Sequence, residues 1–146
     1  MTSASAARPA DLPAIRALLA ASGLPSEDLT PAHLDSLWVM RDAAGLAGVV
    51  GLEPRGGAAL LRSLAVRADR RGSGVGAALL THAEAEARVL GIDAVYLLTT
   101  TAEQFFATRG YAVTTRDGAP AGIRATAEFA ALCPSSSVCM TKRLEQ

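Results

Sequence analysis

The residues best suited to chemistry are Arg70-Arg71-Gly72-Ser73-Gly74-Val75-Gly76. The apolar run from Ala58 to Val66 precedes them and reads as a strand. An alanine-rich run follows, reaches Leu90 with helical character and stops at Gly91. Glycines in a turn between a strand and a helix start let the backbone approach a ligand closely. The first helical N–H groups lack partners and the helix dipole adds positive potential. This is the chemistry of an anion cradle, and the ligand it suits carries phosphate.

Three glycine-rich patterns compete for the turn. A P-loop requires a lysine after its last glycine, and none stands near. Gly72, Gly74 and Ala77 satisfy a dinucleotide fingerprint, which also wants an acidic residue ending the next strand, about 20 residues on. Asp93 has roughly that spacing but precedes its strand. The third pattern, Arg/Gln-x-x-Gly-x-Gly/Ala, is met by Arg71, Gly74 and Gly76. It resembles the acyl-CoA pyrophosphate loop of the GNAT superfamily of N-acetyltransferases.

The resemblance runs along nearly the whole chain. Leu64-Ala65-Val66 is similar to the end of that family's fourth strand, and the helix from Val75 to its third helix. Ala102 to Tyr111, with Phe105-Phe106 and Gly110, looks like its Ala-x-x-Phe-Tyr-x-x-x-Gly-Phe. Arg8-Pro9-Ala10-Asp11-Leu12 resembles its opening. In the last third, Thr99-Thr100-Thr101, Arg116, Pro120, Ile123, Thr126, Glu128-Phe129, Leu132-Cys133-Pro134-Ser135 and Met140 resemble the arsenic-resistance N-acetyltransferases. Relatives of that group acetylate phosphinothricin-like or arsenical amino acids. The implied fold is α/β (α+β): a mixed, mostly antiparallel sheet, helices on both faces, and splayed fourth and fifth strands. The implied cosubstrate is acetyl-CoA, bound by Leu64, Val66, Arg71, Gly72, Ser73, Gly74, Val75, Gly76, Ala77, Thr99 and Phe106.

Acetyl transfer needs a polarised carbonyl, a neutral amine and a stable leaving thiolate. The resemblance implies a backbone N–H near Leu64–Val66 for the first. Two positions depart from the family. Phe106 stands where the acidic tyrosine falls and has no proton to give. Thr99 stands where asparagine is frequent. A thiol ordinarily ionises near pH ~8.5, so it can leave as thiolate without a dedicated acid. Tyr111 reads as a core residue. Glu53 and Glu128 are the candidate bases, through water; the alternative for each is a surface carboxylate. Arg62, beside Ser63, could hold an anionic acceptor or be an exposed strand arginine. Arg116, Arg124 and His33 are further acceptor contacts, and His82 reads as packing or surface.

The formal net charge is zero and no basic, aromatic-interleaved patch points to nucleic acid. No apolar run has the length of a membrane span. Met1-Thr2-Ser3-Ala4 has no basic-then-apolar signal, so a cytoplasmic protein is expected. Cys133 and Cys139 read as buried thiols, with no metal expected. With 146 residues the chain is expected to be one domain. Its partners are a small amine acceptor and, as an open alternative, a second copy of itself. Two rival functions remain: a degenerate module that binds CoA and senses a ligand, and a protein or peptide N-acetyltransferase.

Several elements must position these residues. A short strand ends near Arg8-Pro9. A helix follows, capped by Asp11, with Pro13 in its first turn and Leu12, Ile15, Leu18 and Leu19 at helical spacing. Thr30-Pro31 opens a second helix. Strands over residues 37–40, 46–52 and 58–66 form an antiparallel meander. A strand–helix–strand unit adds a parallel pair. A short helix is expected over residues 121–130 and a last strand over residues 138–144.

Overall fold

The computed structural model describes residues 3–144. Met1 and Thr2, which begin the segment weighed above as a leader, lie outside the described residues, as do Glu145 and Gln146. Seven strands form the sheet β1-β2-β3-β4-β5-β7-β6. The strands are β1 Ser5–Ala6, β2 Leu37–Asp42, β3 Gly45–Arg55, β4 Ala58–Val66, β5 Ala94–Thr99, β6 Ala112–Thr114 and β7 Val138–Arg143. β1–β2, β2–β3, β5–β7 and β6–β7 pair antiparallel, while β4 and β5 run parallel. The chain divides into two compact units. One holds the described residues up to Leu52 with Ser63–Glu86; the other holds Glu53–Arg62 and the residues from Ala87 onward.

In the first unit, helix α1 (Leu12–Ala21) buries Leu12, Ile15 and Leu19 along one stripe. They join Leu29, Leu34, Leu37, Val39 and Val49 in a single apolar cluster. Helix α2 (Val75–Val89) begins here. It packs so closely on β3 that a Cβ at Gly48 would stand 2.7 Å from Leu79 Cδ1 and 2.9 Å from Val75 Cγ1.

One expected cap and one expected helix type differ. Asp11 does not cap α1. Its carboxylate closes a 3-10 turn, Pro9–Asp11, by accepting the Arg8 amide at 2.7 Å, and it accepts both ends of Arg41 at 2.7 and 2.6 Å. The segment opened by Thr30-Pro31 is a six-residue 3-10 helix, Pro31–Ser36. Leu37 already belongs to β2, opposite Gly51, which leaves no chain for a longer helix.

In the second unit, the parallel ladder pairs Ala58 with Ala94, Ala59 with Val95 and Leu60 with Tyr96. β5 meets β7 along its whole length, from Ala94–Arg143 to Thr99–Val138. Gly91, at φ 78°, ends the α2 run, and the Ile92 amide reaches back to Ala87 O. The helix expected over residues 121–130 is broken. Helix α4 covers Ala121–Arg124, and a π-helical turn covers Glu128–Leu132. Between them the buried Thr126 hydroxyl donates to Ile123 O at 2.7 Å, a local bond that competes with helical continuation. Ile123, Phe129 and Ala119 pack on Ala58, Leu60 and Cys139. Among the described residues, no helix is long and apolar enough to cross a membrane.

Candidate functional site

The glycine-rich turn lies in the first unit, and backbone geometry explains its residues. Gly72 and Gly74 have φ of 79° and 92°, in the left-handed region that favours glycine. The Ala78 amide bonds Gly74 O at 3.0 Å. Val75, Gly76 and Ala77 occupy the first turn of α2, where amides have no intrahelical acceptor. Arg71 is exposed, and its Nε donates to Val66 O at 3.2 Å, tying the turn to the end of β4. The Ser73 hydroxyl donates to Arg70 O. Arg71 to Ala77 therefore form one open turn joined to Val66. Leu64 and Val66 are half-buried. Ser63, inside β4 and next to Leu64, is buried at φ 60°, a left-handed conformation uncommon for a residue other than glycine.

A polar network underlies the turn. Asp42 Oδ1 accepts from Arg67 Nη1 at 3.1 Å and from the Ala44 amide at 2.9 Å. Its Oδ2 accepts from Arg67 Nη2 at 2.6 Å and from Arg70 Nη1 at 2.8 Å. The Arg67 bonds come first among the causes that hold the Asp42 carboxyl down at about 2. Arg67 also reaches Asp69 through Nε at 2.6 Å and Leu46 O through Nη1 at 2.9 Å. Sequence reasoning missed this network, because no local pattern links Asp42 to Arg67.

The second unit holds a buried ion cluster made of three expected site residues. Arg62 lies 2.7 Å from Glu53 and 3.2 Å from Glu128, with its side chain 1 % exposed. Arg55 reaches Glu53 from its more exposed side at 3.1 Å. Arg62 is thus neither an exposed strand arginine nor an open fork awaiting an anion: its guanidinium is engaged by two carboxylates. Glu53 and Glu128 are likewise not surface carboxylates, since both are buried. The physical reason is that β4 is covered on both faces, so a cation within it needs buried counter-charges. An arginine inside an otherwise apolar strand run was the sequence signal that could have found this cluster.

The remaining candidates are engaged locally. Phe106 is buried, edge-on to Phe105 and to Tyr111, and Tyr111 is itself buried as expected of a core residue. Thr99 Oγ1 accepts the Ala102 amide at 3.0 Å, ahead of helix α3 (Glu103–Ala107). Arg116 donates to Pro134 O, and its buried Nε has no hydrogen-bond partner among the described residues. Arg124 is exposed and its Nε donates to Ala119 O at 3.1 Å. Cys133 Sγ lies 3.8 Å from Glu128 Oε1, and burial, then the Glu128 charge, push its thiol up to about 12. In the first unit, His33 Nδ1 accepts the Thr30 amide at 3.1 Å, and His82 packs edge-on against Trp38.

Residues 33–113 match the family model described as the acetyltransferase (GNAT) domain. The chain belongs to this family. It is 39% identical over 67 residues to the amino-acid acetyltransferase of Ralstonia nicotianae, a stretch covering 46% of this chain and 15% of that protein. N-acetylglutamate synthase from Neisseria gonorrhoeae, complexed with coenzyme A and N-acetyl-glutamate, superposes with a TM-score of 0.86 at 25% identity. That match covers all of this chain and 36% of the other, so the chain spans well under half the length of both relatives. Rv2747 from Mycobacterium tuberculosis, in complex with CoA, matches over 97% of this chain and 99% of its own, with a TM-score of 0.80 and 22% identity.

Proposed function

We propose that this protein is an acetyl-CoA-dependent N-acetyltransferase, a single domain over residues 1–146, that acts on the amine of a small amino acid carrying a further acidic group. The carrying observation is the turn Arg71–Ala77, whose left-handed glycines and open helix-start amides suit a diphosphate. Coenzyme A in the gonococcal synthase structure supports the same ligand class. Leu64 and Val66 would line the thioester, Thr99 would offer its hydroxyl proton to the pantetheine, and Phe106 would pack beside it.

The reaction needs few groups. A backbone N–H near Leu64 donates to the developing oxyanion as the amine nitrogen attacks the thioester carbon. Before the attack, Glu53 or Glu128 takes one proton from the substrate ammonium through water, and the second proton that nitrogen loses as the amide forms passes to solvent. The carbon–sulfur bond then breaks and CoA leaves as thiolate, with the acetyl group on nitrogen. Phe106 provides no acid, and the thiolate's low basicity makes one dispensable.

Arg116 and Arg124 are the candidates to meet the acceptor's acidic group, and Ser63 and His33 are further candidate contacts from the sequence. Arg62 contributes through Glu53 and Glu128 instead. The finer reading names a phosphinothricin-like or arsenical amino acid, supported by the ordered residues of the last third that resemble the arsenic-resistance group. The two free thiols suit a reducing cytoplasm. A homodimer stays part of the reading.

Phe106 favours one second reading, a CoA-binding sensor without turnover. Thiol release from acetyl-CoA on adding phosphinothricin, glutamate and neutral amines separates the two. Release with acidic amino acids is expected. CoA binding without release in any arm would instead establish the sensor.

A further inference from the structure

The arginines that lead into the turn do not share one job. Arg67 uses every N–H of its guanidinium inside the protein. Nε bonds Asp69 Oδ1 at 2.6 Å, Nη1 bonds Asp42 Oδ1 at 3.1 Å and Leu46 O at 2.9 Å, and Nη2 bonds Asp42 Oδ2 at 2.6 Å and Asp69 Oδ2 at 3.3 Å. It has no donor left for a ligand. Its own amide adds a bond to Ala47 O at 2.8 Å. Arg70 spends Nη1 on Asp42 at 2.8 Å. Arg71 is exposed and donates through Nε to Val66 O.

Arg67 and Arg70 both converge on Asp42. Its carboxylate ends β2, fixes the two-residue turn to β3 through the Ala44 amide, and grips both arginines that bracket the 3-10 turn Ala68–Arg70. That turn delivers Arg71 and Gly72. We propose that Asp42 is a positioning residue for the diphosphate-binding turn, acting through Arg67 and Arg70. The inference rests on the CoA reading of the turn. Charge-assisted bonds of this kind are directional, so removing the Asp42 charge should loosen the chain that presents the cradle.

The test uses the full chain. Asp42→Asn keeps an acceptor for the Ala44 amide and removes the charge; Asp42→Glu is the rescue variant. CoA binding is measured by calorimetry, and KM and kcat are measured for acetyl-CoA and for the acceptor. Asp42→Asn should raise the CoA dissociation constant and the acetyl-CoA KM by about tenfold, with kcat recovered at saturating acetyl-CoA and Asp42→Glu partly restoring affinity. A merely structural role would lower kcat through the folded fraction and leave KM in place. If Asp42→Asn does not fold, Arg67→Lys, which keeps the charge and loses the fork, decides by the same split. Unchanged CoA affinity and KM in a folded variant overturns the positioning role. Absence of CoA binding in the unmodified chain overturns the acetyltransferase reading itself.

Discussion

Replacing Arg62 with methionine probes the buried cluster most sharply. The guanidinium is 1 % exposed and lies 2.7 Å from Glu53 and 3.2 Å from Glu128, whose side chains are 9 % and 6 % exposed. Arg62→Met keeps apolar bulk in β4 but leaves two buried carboxylates without their shared cation. Removing one partner of a buried pair costs about 3–5 kcal/mol, since the remaining charge stays desolvated. Arg55 still reaches Glu53 at 3.1 Å, which argues for the lower half of that range. At about 3–4 kcal/mol, the thermal midpoint of a chain of this length should fall by roughly 6–16 °C. Removing all three charges, as Glu53→Gln/Arg62→Met/Glu128→Gln, should recover at least half of the loss, because no buried charge is left unpaired; Arg55, with its side chain 42 % exposed, keeps its hydration. Calorimetry or denaturant melts at pH 7 read both variants. An Arg62→Met midpoint within 2 °C of the parent protein, taken as about 1 kcal/mol or less, would refute the argument. So would a triple variant less stable than the single one.

Other outcomes follow from single contacts. Gly48→Ala would place a methyl 2.7 Å from Leu79 Cδ1 and 3.0 Å from Ala65 O, so it should cost about 1–3 kcal/mol in a denaturant melt. Cys133, with its thiol pushed up to about 12, should react with maleimide at pH 8 on the order of a thousandfold more slowly than a free cysteine. Glu128→Gln removes the second cause of that shift and should speed the reaction, as mass spectrometry would record. The Asp11 carboxyl is held down at about 2 from 3.8, chiefly by its hydrogen bonds to Arg41. A depressed carboxyl contributes stability above its unfolded value and loses it as pH falls through the folded one. Asp11→Asn should therefore flatten the stability curve between those two values, measured by melts across acid pH.

Local features and the pairing of the strands were legible in the sequence, and the side-chain contacts between distant residues were not. The turn Arg71–Ala77, the strand before it and the stop at Gly91 are each written in adjacent residues and appear where expected. Thr30 and Pro31 cap and open the second helix, and β2 begins at Leu37, both as read; that the helix is of the 3-10 kind is not marked by its cap and proline signals. The break at Thr126 is a hydroxyl bond that hydrophobic spacing does not reveal. Glu53, Arg62 and Glu128 were singled out one by one. Their union escaped notice because Glu128 arrives from beyond β6 on a π-helical turn, and π-helical turns have no sequence period. Asp42 and Arg67 lie 25 positions apart and meet only once the sheet forms.

The central claim is acetyl transfer from CoA to an amino-acid amine at a site fed by the turn Arg71–Ala77. Mass spectrometry of acceptor and cosubstrate in one reaction tests it most directly, run with the parent chain and with Gly74→Glu. Gly74 sits at φ 92°, so the substitution adds strain and a negative charge where the diphosphate would lie. The parent chain should yield one N-acetylated acidic amino acid for each CoA released, and a folded Gly74→Glu variant should yield neither product. Equal product from both proteins, or CoA release without an acetylated amine, would contradict the claim.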